Sequence, residues 1–357
     1  MTWIPVRNLW LLQLFASDLY RTAGTQLSGI ESLPENVAQL VSRMLADAVT
    51  DRLRTGLTVG FRRRTDDLGR VRGKIDLLGT ERHRLLERGK VRCTFDETYP
   101  DTPPNRLVRA ALERASRLPG TDIRCRNLAG QLAARGVQND DSALAEIRYF
   151  YGQRHLASDR QMLMAARLLL ELALPDPGSD EFVASNPDKS DRYLRQLFEK
   201  ATYGFYLNAL SASGWSVKHG ARLAWPVERL SEGMGAILPG MQTDIVLRDE
   251  TRDPGRVIIL DTKFTSVSVA NQYGSQKIRS GYLYQIYAYL LSQQKNPQYG
   301  AHSEGLMLHP VVDGHLDEEA SIQGHRIRFA TVDLRGTYAS IVKELLGAIT
   351  PPESNGY

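Results

Sequence analysis

Two aspartates and a lysine in the second half of the chain have the residue types and the spacing of a metal-dependent hydrolytic site. Asp261 and Lys263 end an apolar run that begins at Val257, and Asp244 lies in the apolar segment before it. Since side chains alternate along a strand, Asp261 and Lys263 point to the same face. The turn signal Asp253-Pro254-Gly255 between the two segments predicts a hairpin, which would bring Asp244 close to Asp261.

The chemistry that this set could perform is cleavage of a phosphodiester. The two carboxylates and the backbone carbonyl of Thr262 offer oxygen ligands, which Mg²⁺ prefers. A lysine beside such an ion can orient an attacking water or help to deprotonate it, while the ion stabilises charge on the phosphate. The alternative interpretation is a buried strand that ends in a surface salt bridge.

The elements that must position these residues have an α/β pattern. The run at 256–263 is apolar on both alternating faces, which is typical of a strand covered on both sides. A second strand is predicted at 242–248 and a third at 305–310, with a helix before them at 191–211 and another between them at 280–293. The polar segment from Thr265 to Gly281 is predicted to be a loop over the site whose Lys277 and Arg279 contact the DNA backbone, the alternative being a surface loop without that role.

The first half of the chain is predicted to be mixed. Helical spacing of apolar residues recurs near 9–19, 36–55, 107–118 and 158–174, and a β-rich module is predicted at about 56–96. Residues 51–92 contain 13 Lys and Arg against 6 Asp and Glu. These basic side chains could form a solvated surface, face the nucleotide site of a partner or touch DNA phosphates. Breaker residues at 175–190 predict two domains, 1–185 and 190–357.

Composition narrows the class of protein. The 357 residues are 42% hydrophobic and 24% charged, with a net charge of +4, which is ordinary for a globular protein. Two cysteines are too few for a disulfide framework and fit a reducing compartment, so we expect a cytoplasmic protein. No segment is predicted to span a membrane. No nucleotide is expected to bind, because Gly69 to Ile75 lacks both the spacing and the final Ser or Thr of a phosphate-binding loop.

Asp244, followed by Asp261-x-Lys263 after an apolar strand, resembles the core of the PD-(D/E)XK nucleases. Thr243 stands in place of the proline that gives the pattern its name, and Asp261 takes the first place of the second motif. The resemblance also implies supporting roles for Glu199, in the helix before the strands, and for Gln285, in the helix after them.

Blocks spread over nearly the whole chain are similar, in order, to McrC, the nuclease subunit of the McrBC modification-dependent restriction systems. They are Ile4–Trp10, Gly73–Asp76, Cys93–Glu97, Asn105–Leu107 and Leu238–Asp244.

The resemblance implies an N-terminal mixed helical and β-rich partner-binding region followed by a C-terminal α/β nuclease domain of restriction-endonuclease type. It implies a Mg²⁺-dependent endonuclease subunit, with Mn²⁺ as a substitute metal, that cuts methylated double-stranded DNA in a 5-methylcytosine restriction system. Its catalytic residues would be Asp244, Asp261 and Lys263, with Asp244, Asp261 and Thr262 on the metal. The implied partner, which the chain would stimulate, is a McrB-like AAA+ GTPase hexamer. Two alternatives stay open, namely a non-catalytic scaffold that activates the GTPase and a nuclease of another motor-coupled defence system.

Overall fold

A computed structural model describes residues 4–22, 37–142, 144, 159–172, 187–251, 255–270, 276–300 and 302–350. The chain forms two compact units. The terminal unit combines Met1–Val37 with Leu172–Tyr357, and the middle unit is Ala38–Glu171. Their contents differ from the division predicted at 185–190, because the described N-terminal residues 4–22 belong to the same unit as the second half of the chain.

The described helices and strands are numbered in chain order. The helices are α1 (Val6–Ala16), α2 (Val37–Thr55), α3 (Leu77–Arg82), α4 (Pro103–Ala115), α5 (Arg124–Ala134), α6 (Arg160–Glu171), α7 (Pro187–Ser211), α8 (Met234–Ile237), α9 (Ser280–Ser292) and α10 (Tyr338–Ile349). The strands are β1 (Gly60–Leu68), β2 (Lys74–Ile75), β3 (Val91–Tyr99), β4 (Trp215–His219), β5 (Arg222–Leu223), β6 (Met241–Gln242), β7 (Ile245–Asp249), β8 (Val257–Thr262), β9 (Ser268–Ala270), β10 (Gln276–Ile278), β11 (Glu304–Pro310), β12 (Asp317–Ile322) and β13 (His325–Val332). None of these helices has the length and apolar character needed to cross a membrane.

A six-stranded mixed sheet in the order β12-β13-β11-β8-β7-β4 is the centre of the terminal unit. Strands β8, β11 and β13 are parallel, and β7, β4 and β12 run antiparallel to their neighbours. Residues 245–248 of the strand predicted at 242–248 lie in this sheet as β7, and the strands predicted at 256–263 and 305–310 lie in it as β8 and β11. The sequence analysis missed β12 and β13, because β12 is an exposed edge strand with the acidic sequence DEEASI, a composition that disfavours a strand.

Both faces of the central strands are covered, as the apolar run of β8 predicted. Ile259 and Met307 pack with Ile286 and Leu290 of α9 on one face. Helices α7 and α10 also contact the sheet, and the hydroxyl of Tyr206 on α7 donates to the carbonyl of Leu345 on α10 at 2.6 Å. The carboxyl ends of the parallel strands therefore emerge from a rigid, covered layer.

Helix α1 belongs to the terminal unit for a reason that is visible in its burial. Its side chains from Leu9 to Phe15 are buried, so the helix is apolar on most sides and must be surrounded. It packs on α7, where Gly204 allows close approach: a Cβ there would lie 1.9 Å from the carbonyl oxygen of Phe15. The Asn8 side chain donates to the carbonyl of Leu334 at 2.7 Å, which ties the start of the chain to the loop before α10.

The middle unit joins helices α2, α4, α5 and α6 to a three-stranded antiparallel sheet in the order β1-β3-β2. The sheet lies in the segment predicted to be β-rich. The amide of Asn105 donates to the carbonyls of Thr58 at 2.8 Å and Pro100 at 2.7 Å, and so ties the segment before β1 and the segment after β3 to α4. Gly73 has a left-handed φ of 69° and lies against β3, where a Cβ would meet the Thr94 carbonyl oxygen at 2.5 Å.

Candidate active site

The sheet register brings Asp244 and Asp261 to the same edge. Strand β7 pairs with β8 so that Ile245 lies opposite Leu260, and one further step places Asp244 opposite Asp261. The strand predicted at 242–248 would include Asp244. In the structure Asp244 lies between two strands, β6 and β7. The chain bends at Asp244, between β6 and β7, where the Gly220 amide donates to the Asp244 carbonyl at 2.8 Å.

The Asp244 carboxylate is oriented by the strand opposite. Its Oδ2 accepts hydrogen bonds from the backbone N–H and from the hydroxyl of Thr262, both at 2.7 Å. The other carboxylate oxygen takes part in neither bond. The Thr262 side chain thus fixes Asp244, a role that the sequence analysis did not assign, since it expected only the backbone carbonyl of Thr262 to act.

Asp261 is the buried member of the pair, with 1% of its surface exposed. Its Oδ2 is ion-paired with the ammonium of Lys263, as expected for side chains on one face of a strand. Its Oδ1 accepts from the Gln285 amide at 3.1 Å. The structure therefore gathers Asp244, Asp261, Lys263 and Gln285 in one place, where the sequence analysis predicted them to meet.

The electrostatics of the pair favour a bound cation. Burial raises the pKa of Asp244, which hydrogen bonds from Thr262 partly offset. Burial also raises the pKa of Asp261, and the nearby charge of Asp244 raises it further, while Lys263 lowers it. The buried Asp261 carboxylate and the half-buried Asp244 carboxylate have one ammonium, that of Lys263, beside Asp261. When ionised they hold an excess of negative charge, and a divalent cation would relieve their repulsion.

Tyr289 is a site residue that the sequence analysis missed. Its hydroxyl donates to the carbonyl of Gln242 at 2.9 Å and accepts from the Gln285 amide at 2.9 Å. Tyr289 therefore fixes the rotamer in which Gln285 reaches Asp261. The available signal was the spacing of four residues on α9, which places both side chains on the same helical face.

Glu199 lies on α7 near the pair without contacting it. Its charge raises the pKa of Asp244 and of Asp261, after the larger effect of burial. Its Oε1 is bonded to His219 Nε2 at 2.9 Å. Glu199 thus belongs to the surroundings of the site.

Lys277 and Arg279 are exposed, but the segment that carries them is only partly the loop predicted at 265–281. Strands β9 and β10 form an antiparallel ribbon in which Lys277 lies opposite Val269. The period-two alternation of Val267 and Val269 was the signal for a strand. Arg279 follows β10 and precedes α9.

The donor atoms at the aspartate pair fit Mg²⁺, since they are all oxygens and two of them belong to carboxylates. Among the described residues, no three His, Cys, Asp or Glu side chains lie close enough together to bind a metal ion. An ion here would therefore rely on Asp244 and Asp261, together with backbone carbonyl and water oxygens, as Mg²⁺ often does.

Comparison with known proteins gives matches along the whole chain. The sequence model of the family described as McrBC 5-methylcytosine restriction system component matches residues 7–181. Over 346 residues the chain is 23% identical to the Escherichia coli (strain K12) protein named Type IV methyl-directed restriction enzyme EcoKMcrBC, covering 96% of this chain and 96% of that protein.

A solved structure shares the fold. It is the refined half-complex from the tetradecameric assembly of Thermococcus gammatolerans McrB AAA+ hexamers with bound McrC, matched with a TM-score of 0.51 and 15% identity over 96% of this chain and 75% of that chain. The class that these findings define is a mixed α/β protein with the fold of that solved structure. The resemblance to McrC drawn from the sequence blocks is confirmed by these matches.

Proposed function

We propose that the chain is the Mg²⁺-dependent endonuclease subunit of a modification-dependent restriction system, and that its terminal unit is a PD-(D/E)XK nuclease domain. The observation that carries the proposal is the register of β7 and β8, which sets Asp244 opposite Asp261 with Lys263 beside them. The supporting geometry is a covered sheet whose charged strand ends meet at one edge.

Each residue of the site has a part in the proposed hydrolysis. The carboxylates of Asp244 and Asp261 and the carbonyl of Thr262 would hold Mg²⁺, which would stabilise the negative charge that develops on the scissile phosphate. Lys263, held next to Asp261, orients the attacking water and helps to remove its proton. Gln285 keeps the Asp261 carboxylate in place through Oδ1.

The proposed substrate is methylated double-stranded DNA, and the proposed partner is a McrB-like AAA+ GTPase hexamer that the chain stimulates, both acting in the cytoplasm. The names of the related proteins support this choice, because they describe a methyl-directed restriction enzyme and McrB AAA+ hexamers with bound McrC. We propose that Lys277 and Arg279 on the β9–β10 ribbon contact the DNA backbone, since both are exposed and cationic.

The middle unit offers a surface suited to a protein partner. Large apolar side chains are exposed on and around its sheet, namely Phe61, Val71, Leu77, Leu78 and Leu86. Arg62 and Arg64 of β1 are ion-paired with Glu97 of β3, at 2.8 Å and 3.2 Å. A surface of exposed apolar groups beside paired charges favours contact with protein over contact with phosphates. This surface also supports the second candidate function, a scaffold that activates the GTPase without cutting DNA.

The experiment that separates the two candidates uses the full chain reconstituted with a McrB-like AAA+ GTPase, methylated plasmid, GTP and Mg²⁺. We expect Asp244→Asn, Asp261→Asn and Lys263→Ala each to lower cleavage by at least about 100-fold, because each removes a group from the reacting centre. GTPase stimulation should stay within about twofold, because these variants leave the middle unit untouched. Lys343→Ala, an exposed lysine of the same unit, is the matched control. Undiminished cleavage by all three variants would refute the nuclease site.

A further inference from the structure

A histidine that the proposed hydrolysis does not use holds Glu199 next to the aspartate pair. His219 Nε2 lies 2.9 Å from Glu199 Oε1. Because an ionised carboxylate can only accept, Nε2 carries the hydrogen of this bond. Tyr203, one turn beyond Glu199 on α7, packs on the imidazole with the ring centroids 5.0 Å apart. The imidazole thus contacts two side chains of the same helix.

The backbone next to His219 is bonded to Asp244. His219 is the last residue of β4 and pairs with Ile245, the first residue of β7. The next residue, Gly220, has a left-handed φ of 64° and donates its N–H to the Asp244 carbonyl at 2.8 Å. One short segment therefore fixes the backbone of Asp244 and presents an N–H donor to Glu199.

The His219–Glu199 contact is accessible to water and is weak as a stabilising interaction. The two side chains are 36% and 33% exposed, and ion pairs with that much solvent contribute roughly 0–1 kcal/mol to folding. The negative charge of Glu199 nevertheless reaches both aspartates at the strand ends. Variants at His219 should therefore fold, while any effect on the site should remain measurable.

We propose that His219 is a positioning residue for the candidate cation site. By donating to one oxygen of Glu199, it keeps that carboxylate beside Asp244 and Asp261, where its charge strengthens the attraction for a divalent cation. Glu199 acts from outside the pair, through its charge and through water. This inference rests on the proposed cation site and adds the group that organises its surroundings.

The test is Mn²⁺ binding to the full-length chain without DNA or nucleotide, measured from the electron paramagnetic resonance signal of free Mn²⁺. His219→Leu removes the donor at similar volume, and His219→Gln keeps an N–H donor. Since loss of outer partners typically costs 10–100-fold in metal affinity, we expect His219→Leu to raise the Kd about tenfold and His219→Gln to raise it less than about threefold. Adding His219→Leu to Glu199→Ala should change the Kd no further.

The inference would be overturned if His219→Leu bound Mn²⁺ with wild-type affinity. It would also be overturned if the effects of His219→Leu and Glu199→Ala on the Kd multiplied in the double variant. Asp261→Asn distinguishes this failure from that of the proposed function. If Asp261→Asn loses Mn²⁺ while His219→Leu binds normally, only the role of His219 is wrong. If Asp261→Asn binds Mn²⁺ as the wild type does, the cation site itself is wrong, and the role of His219 with it.

Discussion

At the scale of single residues, the site is a balance between groups that burial penalises and groups that compensate for it. Asp261 is almost fully buried and shares its surroundings with Asp244. Its two oxygens are occupied by Lys263 and Gln285. Such an arrangement costs folding energy, because one ammonium cannot satisfy two ionised carboxylates. This cost is understandable if the pair serves a cation.

His309 gives a pH dependence that can be measured separately. It is fully buried on β11, and its Nδ1 donates to the Thr265 carbonyl at 3.0 Å. Burial lowers the pKa of His309 from 6.5 to about 4. The unfolded chain therefore binds a proton more readily than the folded chain between about pH 6.5 and 4, so stability falls as the pH falls through this window.

We expect the free energy of unfolding to drop by about 1–2 kcal/mol more in the wild type than in His309→Asn between pH 7 and pH 5. Asparagine keeps a donor near the position of Nδ1 but does not titrate. Urea unfolding followed by tryptophan fluorescence is suitable, because all 4 tryptophans fall within the residue ranges of the terminal unit. Equal pH dependence in the two proteins would show that His309 titrates normally.

At the scale of elements, the position of the site at the open end of the β7–β8 hairpin could be predicted from the sequence. Alternation along β8 and the turn before it were enough to predict that Asp261, Lys263 and Asp244 would meet, because strand geometry is local. The bend at Thr243 and Asp244 was beyond such reasoning. It depends on the Gly220 N–H, which donates to the Asp244 carbonyl, and on the Ala221 carbonyl, which accepts from the Thr243 N–H. Both partners lie more than 20 residues away, and no local pattern encodes that pairing.

The β9–β10 ribbon is the element that should carry the DNA-backbone contacts. Replacing Lys277 and Arg279 together by alanine removes two cations. For each phosphate that the protein no longer neutralises, the slope of log K against log salt becomes shallower by about one. We expect the slope of log K against log salt to become shallower by about 1–2. DNA binding would be titrated from low to high salt with the assembled complex.

The matched control for that titration is Lys295→Ala with Lys343→Ala, which removes the same charge from exposed positions of the same unit. The control should leave the slope near that of the wild type. If the two double variants have the same slope, the ribbon makes no specific contact with the DNA backbone, and only the net charge of the protein determines the salt dependence.

At the scale of the whole molecule, the terminal unit is discontinuous in sequence. Its first helix packs with the second half of the chain, and the residues of the middle unit lie between these two segments in the sequence. Several of the family blocks turn out to be structural. Asn8 anchors the loop at Leu334, Gly73 packs on β3, and Asn105 ties the segment before β1 to α4. Sequence patterns identified these blocks but not their long-range partners, which is why the predicted division at 185–190 misplaced α1.

The packing of α1 on α7 gives a test of this discontinuous unit. In Gly204→Ala, a methyl group would meet the Phe15 carbonyl, and overpacking typically costs about 1–3 kcal/mol. We expect a lower melting temperature for the terminal unit, read by tryptophan fluorescence. Gly347→Ala in α10 has open space around the new methyl group and should be neutral or stabilising by up to about 1 kcal/mol. Equal melting of both variants would contradict the close approach.

The central claim is that Asp244 and Asp261 share one divalent cation. The most direct measurement is anomalous diffraction from crystals of the chain soaked with Mn²⁺. We expect one peak between the two carboxylates, about 2.0–2.3 Å from an oxygen of each. Diffraction that shows ordered aspartates with no peak between them, and Lys263 still paired to Asp261 at saturating Mn²⁺, would contradict the account.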